Sequence, residues 1–419
     1  MRWWRFLLPD LTPLRASPAY RLLWLGQLVS MSGSQLRLVA LPYQVFVLTG
    51  SSFAVGLIGL FQAVPLLLLS LFAGVIADAV DRRRLLLITQ VGLAAVSLSL
   101  AIATQLELAS VPLLYVLTAA GACFSALDSP TRASLAPTLV ERRHIQAAMA
   151  LNQTVFQLSI VFGSLLAGLV IARWSIAVAY WIDVASFAAA FVAVWRMRTP
   201  PRVPTPRQPV VRSLVEGLRY LTVTRILLAT MALDFLATFF GSPRALFPYY
   251  AERVFHVGPE GLGLLYASMG VGALVAAVAS GWTSRVKRQG LTVLIAVTVW
   301  GLAIAAFGVL DEGMFPLALV LLAIANGADV VSSIFRSTIL QLVVPDALRG
   351  RLNAINIMFV AGGPYLGQFE SGAVALWSPI GSVVTGGLAC VASVVAVAAW
   401  IPEIVRYRSH RDEAAPAVR

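Results

Sequence analysis

The chain has 419 residues, a formal charge of +12 from 31 basic and 19 acidic side chains, a 59% hydrophobic composition and a mean hydropathy of +0.84. Such a composition excludes a soluble globular surface and identifies a membrane protein. Apolar runs of about 18–25 residues, long enough to cross a ~30 Å hydrocarbon core as helices, recur along the whole sequence and make the expected fold all-α.

In chain order the predicted spans are 20–48, 53–77, 85–105, 110–135, 146–172 and 175–196, then 225–250, 260–284, 290–310, 314–341, 351–375 and 378–401. The opening MRWWRFLLPD has a basic start, but its apolar run is short, Pro9 ends it and no small-residue cleavage pattern follows, so no cleavage is expected. Arg2, Arg5, Arg15 and Arg21 instead lead into the first span, with Trp3 and Trp4 suited to the headgroup region. Placing the chain's start in the cytoplasm puts 25 of the 31 basic residues on that side, while the opposite loops 49–52, 104–108 and 310–313 hold none. Lysine and arginine accumulate in cytoplasmic loops during insertion, so twelve crossings with both termini inside are expected, in a bacterial-type inner membrane.

The positive charge is scattered through short loops beside apolar spans, so it argues for topology and against a nucleic-acid partner. Cys123 and Cys390 fall inside spans and imply no disulfide framework. Between spans six and seven, the stretch RMRTPPRVPTPRQPVVR (196–212) has five prolines and favours an extended, solvated linker. The expected organisation is a first bundle over 1–198, a linker over 199–224, a second bundle over 225–402 and a tail over 403–419.

The two halves repeat each other. Gly56-Leu57 and Leu60-Phe61 match Gly261-Leu262 and Leu265-Tyr266 at an offset of 205; Arg132 and Arg336, Asn152 and Asn356, and Gly163 and Gly367 keep an offset of 204. Several positions in one register imply duplicated six-helix halves.

Duplicated six-helix halves joined by a basic linker resemble the major facilitator superfamily over essentially the whole chain. The stretch GVIADAVDRRRLLL (74–87) resembles that superfamily's loop signature between helices two and three through Gly74, Asp78, Arg82 and Arg83. The resemblance implies a conformational latch, in which Gly74 permits close helix approach and Asp78 bonds to the other half until the protein turns. Asp81 departs from the usual glycine and Ala79 from a common basic residue; the second copy, Gly281 to Arg288, has no acid. The stretches 17–52, 128–141 and 345–356 are similar to the drug and siderophore exporter branch, which includes enterobactin exporters and macrolide efflux proteins. That resemblance implies export from the cytoplasm by proton antiport of a substrate larger and more amphipathic than a sugar.

Ionisable groups inside hydrocarbon cost at least ~2.5 kcal/mol on insertion scales and should face a cavity or a partner. Arg37, Asp128, Arg132, Asp183, Asp234, Arg244, Asp329, Arg336 and Glu370 are such groups. In the superfamily's fold, helices one, four, seven and ten line the path, and all but Asp183 and Glu370 fall on those helices. Asp128 and Arg132 share a helical face, as do Asp329 and Arg336; these are expected gate pairs, with substrate contact an alternative for Arg132 and Arg336. Asp234 has no opposite charge within four positions and is the first candidate for proton coupling, with Asp329 and Glu370 as competitors. Arg37, beside Gln35 in mid-span, would attract an anionic substrate group or hold an intramembrane carboxylate; with Gln35 it is assigned to the substrate cavity.

Gly163 to Gly168 loosely resembles the superfamily's glycine-rich antiporter motif, with Ser164 where proline is usual, and Gly363, Pro364 and Gly367 carry its Gly-Pro-x-x-Gly core in the pseudo-symmetric span. Ordinary close packing of small residues is the favoured reading of both stretches. Tyr43, Phe46, Phe239, Phe240, Tyr249 and Phe359 are candidates for an apolar cavity wall.

Other function classes fail on inventory. The single lysine, Lys287, stands in RVKRQ, so no phosphate-cradling Walker loop exists to make the chain an ATP-driven pump. His144, His256 and His410 are dispersed and no metal site is expected. An enzyme is therefore not expected, nor a cofactor beyond a proton gradient. A channel would need a continuous polar lining; a lipid or lysolipid flippase on the same fold is the closer rival. The expected partners are a small-molecule substrate and the bilayer, with the chain acting singly.

Overall fold

The computed structural model describes residues 10–197 and 210–408, apart from the side chains of 71–79, 210–215, 217, 346, 347, 350 and 354. Among these residues the chain is built of helices and turns, without a strand. Six long helices form the first half: α1 (Pro18–Thr49), α2 (Ser52–Ala79), α3 (Arg82–Gln105), α4 (Val111–Leu135), α5 (Ile145–Arg173) and α6 (Ile176–Arg196). Six more form the second: α7 (Arg225–Phe240), α8 (Gly258–Val278), α9 (Gln289–Gly308), α10 (Phe315–Val343), α11 (Asp346–Val374) and α12 (Pro379–Trp400). Ten of these segments are long and apolar enough over their described residues to cross a membrane; α1 and α11 are more polar and complete the set by packing.

The turns explain where the helices stop and start. Gly50 ends α1 in the left-handed conformation at φ 63°, a region open to glycine at no steric cost. Ser17, Ser175 and Ser378 cap α1, α6 and α12 by accepting backbone N–H bonds, two of them followed by a proline or near-proline first turn. Asp81 caps α3, its carboxylate accepting the Arg84 N–H at 2.9 Å. The acid that departs from the loop motif is thus a helix cap placed against the positive end of the helix dipole.

Within the first half α1 packs on α5 and α6, α2 on α4, and α3 on α4 and α6. The second half repeats every pairing: α7 on α11 and α12, α8 on α10, and α9 on α10 and α12. The halves meet through α2 against α11 and α5 against α8, which are copies of one crossing. The end of the bundle that carries residues 10 and 408 is called here the termini end, and the opposite end the loop end.

Two departures from the expected elements matter. The seventh span is not one helix: α7 stops at Phe240, and Gly241 and Ser242 lead into a 3-10 turn (Pro243–Leu246), a short helical turn (Phe247–Tyr249) and a π turn (Tyr250–Val254). Pro243 lacks the N–H that would continue the ladder, which explains the break. The expected linker is helical over Val210–Val223, and that helix packs against α11 through a Glu216–Arg351 ion pair and against the end of α10 through the Tyr220 hydroxyl, which donates to the Val343 carbonyl at 3.3 Å.

Candidate functional site

A cavity of about 340 Å³ lies within the first half, lined by α1, α3 and α4, with Gln62 and Leu66 of α2, Phe156 of α5, Phe187 of α6 and Tyr365 of α11 completing the wall. Gln35, Arg37, Asp128 and Arg132 all line it. Small and polar residues on α1 and α4, Ser34, Gly121 and Ser125 among them, leave the space that larger side chains would fill. The expectation that helices one, four, seven and ten together line the path is met here by one and four; Arg336 is not among this cavity's lining residues.

Arg37 is held by a carboxylate rather than left free. Its Nε lies 3.5 Å from Asp183 Oδ2, its Nη1 donates to Ser97 at 3.4 Å, and its guanidinium sits 5.7 Å from the Phe187 ring centre. Asp183 has no exposed surface and accepts the Ser97 hydroxyl at 2.6 Å, so α1, α3 and α6 converge on one buried charge. Close approach makes this possible: a side chain at Gly33 would collide with Ser186 beside Asp183. Asp183, which falls outside the expected path helices, is the counter-ion of a path residue.

Lower in the cavity, Arg132 Nε lies 2.5 Å from Asp128 Oδ2, as their four-residue spacing predicts. Asp128 also accepts Thr89 Oγ1 at 2.7 Å and Gln90 Nε2 at 2.9 Å from α3. These two partners escaped the sequence reading; the polar pair Thr89-Gln90 inside an apolar run was the available signal. Arg132 Nη1 is buried without a partner.

The second half holds the matching cluster. Arg336 Nη2 stands 2.5 Å from Asp234 Oδ1 and 3.5 Å from Asp329 Oδ1, while its Nη1 donates to Ser332 at 2.8 Å. Asp234 therefore is not unpaired, as its own helix suggested; its counter-charge comes from α10, 102 positions away. Its second oxygen is buried with no hydrogen-bond partner. Glu370 is half-buried and has neither an ion pair nor a hydrogen bond among the described residues.

Glycines set the two crossings between halves. A Cβ at Gly168 would lie 2.9 Å from the Gly263 Cα, and one at Gly56 would lie 2.8 Å from the Gly372 Cα. Gly168 and Gly372 are 204 apart, so one glycine of each crossing repeats in sequence as the crossings repeat in space, while Gly56 and Gly263, their partners, are 207 apart and occupy neighbouring turns of the repeat. Gly163 lies against Ser32 and Gln35 of α1, while Gly363 and Gly367 lie against Thr238 and Phe239 of α7, with Pro364 between them inside α11. Polar bonds close the loop end: Tyr43 donates to Glu252 at 2.9 Å, and Arg173 pairs with Glu260 at 3.3 Å.

Of the loop motif, Gly74 and Asp78 lie outside the described side chains. Arg82 donates to the Ser134 carbonyl at 3.1 Å, and Arg83 to the Val194 carbonyl at 3.1 Å and to that of Trp195. Both arginines thus dock on carbonyls near the ends of α4 and α6 in their own half, where a helix dipole favours a cation. Among the described residues no group of three or more His, Cys, Asp or Glu side chains could hold a metal ion.

Twelve transmembrane helices in two repeated halves, with a charged intramembrane cavity lined almost wholly by the first, define a transporter of the major facilitator class. Its fold is shared with a POT family transporter in complex with 5-aminolevulinic acid (TM-score 0.74, 12% identity, covering 93% of this chain and 97% of that one). A D-xylose–proton symporter is also alike (TM-score 0.70, 17% identity, covering 92% and 98%). Residues 9–417 match the family described as transmembrane secretion effector, MFS_3, and the chain belongs to that family. Among curated relatives, an enterobactin exporter EntS of Shigella boydii serotype 18 is 27% identical over 400 residues, covering 95% of each chain. The protein is a multi-pass membrane transporter and not an enzyme.

Proposed function

We propose that the protein exports an amphipathic small molecule of siderophore type from the cytoplasm in exchange for inward-moving protons. Both termini then lie in the cytoplasm of an inner membrane, a placement supported by the basic residues gathered at the termini end. The relatives named enterobactin exporters support the substrate class and the direction. The two halves rock about the glycine crossings of α2 with α11 and α5 with α8, and the cavity beside Arg37 and Arg132 receives the substrate. No resident cofactor is required, and the chain acts singly.

The observation that carries the coupling is one arginine shared by two acids. Arg336 faces both Asp234 and Asp329, whereas Arg132 faces Asp128 alone. A cluster with one more acid than base in a low-dielectric interior becomes neutral when a carboxylate takes up a proton. Closure of the halves around a substrate would change which carboxylate Arg336 holds, and so whether that proton stays.

The test is uptake of catecholate siderophores, macrolides and dyes into everted vesicles made acidic inside, comparing the wild type with Asp234→Asn. Gradient-driven uptake of one compound, lost in the variant, is the expected result. Uptake that ignores the gradient would replace antiport with facilitated movement, and inhibition of it by lysolipids would point to lipid handling.

A further inference from the structure

The wall of the first-half cavity carries charged and neutral polar side chains, and the two kinds are partnered differently. The charged groups answer one another. Arg37 is held by Asp183 at 3.5 Å, with Asp183 itself fully buried, and Arg132 is held by Asp128 at 2.5 Å. Asp128 also accepts donors from Thr89 and Gln90, which fix it beside its arginine. An acid entering this space would have to displace Asp128 or Asp183 from its arginine, and a base would have to displace an arginine from its carboxylate.

The neutral groups are left open. Ser34 and Gln35 of α1, Gln62 of α2, Ser125 of α4 and Tyr365 of α11 all line the cavity, and none makes a side-chain hydrogen bond among the described residues. All five are partly buried, and none of their side-chain oxygens or nitrogens is sealed from solvent. On α4, Gly121, Ser125, Asp128 and Arg132 recur every three or four positions, so the open hydroxyl shares a face with the closed ion pair. An amide offers N–H donors and a carbonyl acceptor, a hydroxyl offers a donor and an acceptor, and neither carries charge. Leu66, Leu93, Val96, Phe156 and Phe187 supply apolar wall around them.

We infer that Ser34, Gln35, Gln62, Ser125 and Tyr365 form the recognition surface of this cavity, and that the substrate is bound as an uncharged amphiphile bearing hydroxyl, amide or ester groups. The inference rests on the exporter reading for the cavity's role and deepens it by fixing the substrate's charge and bonding groups. A low-dielectric path favours such a solute, because desolvating a charge costs far more than desolvating a dipole that finds new hydrogen bonds. Tyr365 brings the second half to a ligand held otherwise by the first. Exchange of a neutral molecule for protons then carries net positive charge inward, so the membrane potential adds to the pH gradient.

The test uses two fluorescent probes that share one aromatic body: 7-methoxycoumarin-4-acetic acid, an anion near neutral pH, and its amide, which is uncharged and hydrogen-bonding. Both are titrated against the full-length protein in phosphatidylcholine nanodiscs without a gradient. The wild type should bind the amide more tightly. Gln35→Met and Gln62→Met, which keep the side chain's shape and remove its hydrogen-bonding groups, should each weaken the amide by about fivefold, the loss of one neutral hydrogen bond, and leave the acid unchanged. Asp128→Asn should instead strengthen binding of the acid by about tenfold, because Arg132 then faces the cavity without its counter-charge, and a gain of binding cannot come from misfolding.

Tighter binding of the acid by the wild type, or no binding of the amide, would overturn the assignment of an uncharged substrate. Undiminished amide binding in both methionine variants, or equal weakening of both probes, would overturn the recognition surface, since the glutamines would then act only on the cavity's shape. Binding is read without a gradient, which separates this inference from the one beneath it. Glutamine-dependent amide binding with no vesicle uptake would sink the export reading and leave the site standing; gradient-driven uptake of anions alone would do the converse.

Discussion

Arg336 is the residue on which most buried charge depends, since it stands within ion-pair distance of Asp234 and Asp329 at once. Its side chain is only 11% exposed, so removing it leaves two carboxylates without a counter-charge in a poorly solvated place. Breaking a buried pair by deleting one partner costs about 3–5 kcal/mol, far more than the net worth of the pair. Arg336→Met should therefore lower the thermal midpoint of the purified protein by several degrees. Adding Asp234→Asn and Asp329→Asn to that variant should restore most of the loss, because the neutral amides no longer need a cation. A triple variant as unstable as Arg336→Met would mean that Arg336 acts through packing. Asp128 offers a milder case: Gln90→Leu removes one of its two α3 donors and leaves the Arg132 pair intact, so a drop of about 1–3 kcal/mol is expected, read by the same unfolding measurement.

At the scale of elements, the crossings of α2 with α11 and α5 with α8 set how closely the halves can come. Backbone touches backbone at Gly56 with Gly372 and at Gly168 with Gly263, so any side chain there pushes the helices apart. Overpacking of this kind costs about 1–3 kcal/mol, and 1.4 kcal/mol is a tenfold shift between two conformations. Gly263→Val should shift the protein toward a state open at the loop end, read as a longer spin-label distance between Glu107→Cys and Glu312→Cys. An unchanged distance would show that the crossing yields elsewhere. By contrast, Arg173→Ala removes an exposed pair, 67% and 53% accessible, and should change stability by less than about 1 kcal/mol.

The same elements show what the sequence can reveal. Helix positions were legible because a membrane demands long apolar runs, and Asp128 with Arg132 was legible because a helix repeats within four residues. Asp183 with Arg37 and Asp234 with Arg336 were not, since those pairs join different helices and no local period links them. The broken seventh span was written in Gly241-Ser242-Pro243, yet hydropathy alone reads through it.

For the whole molecule, charge asymmetry and repeat symmetry make separate demands. The repeat makes the two halves interchangeable in packing, whereas the basic residues are concentrated at the termini end and distinguish one face of the membrane from the other. Orientation therefore rests on charge and not on the packing of helices, and it can be read without any transport assay. In a background carrying Cys123→Ala and Cys390→Ala, single cysteines replacing Ser51, Leu108 or Glu312 should react with a membrane-impermeant maleimide added to intact cells. Cysteines replacing Arg142 or Arg285 at the other end should react only after the membrane is permeabilised. The reverse pattern would place the termini outside and overturn the proposed topology. Mixed labelling at both ends would mean that the chain inserts in two orientations, and that the arginines beside α3, α5 and the α8–α9 turn do not bias insertion strongly enough to choose one. A clean asymmetry would show that the arginines holding the loops choose the face on which the termini end lies, while the direction of the proposed exchange stays set by the proton gradient.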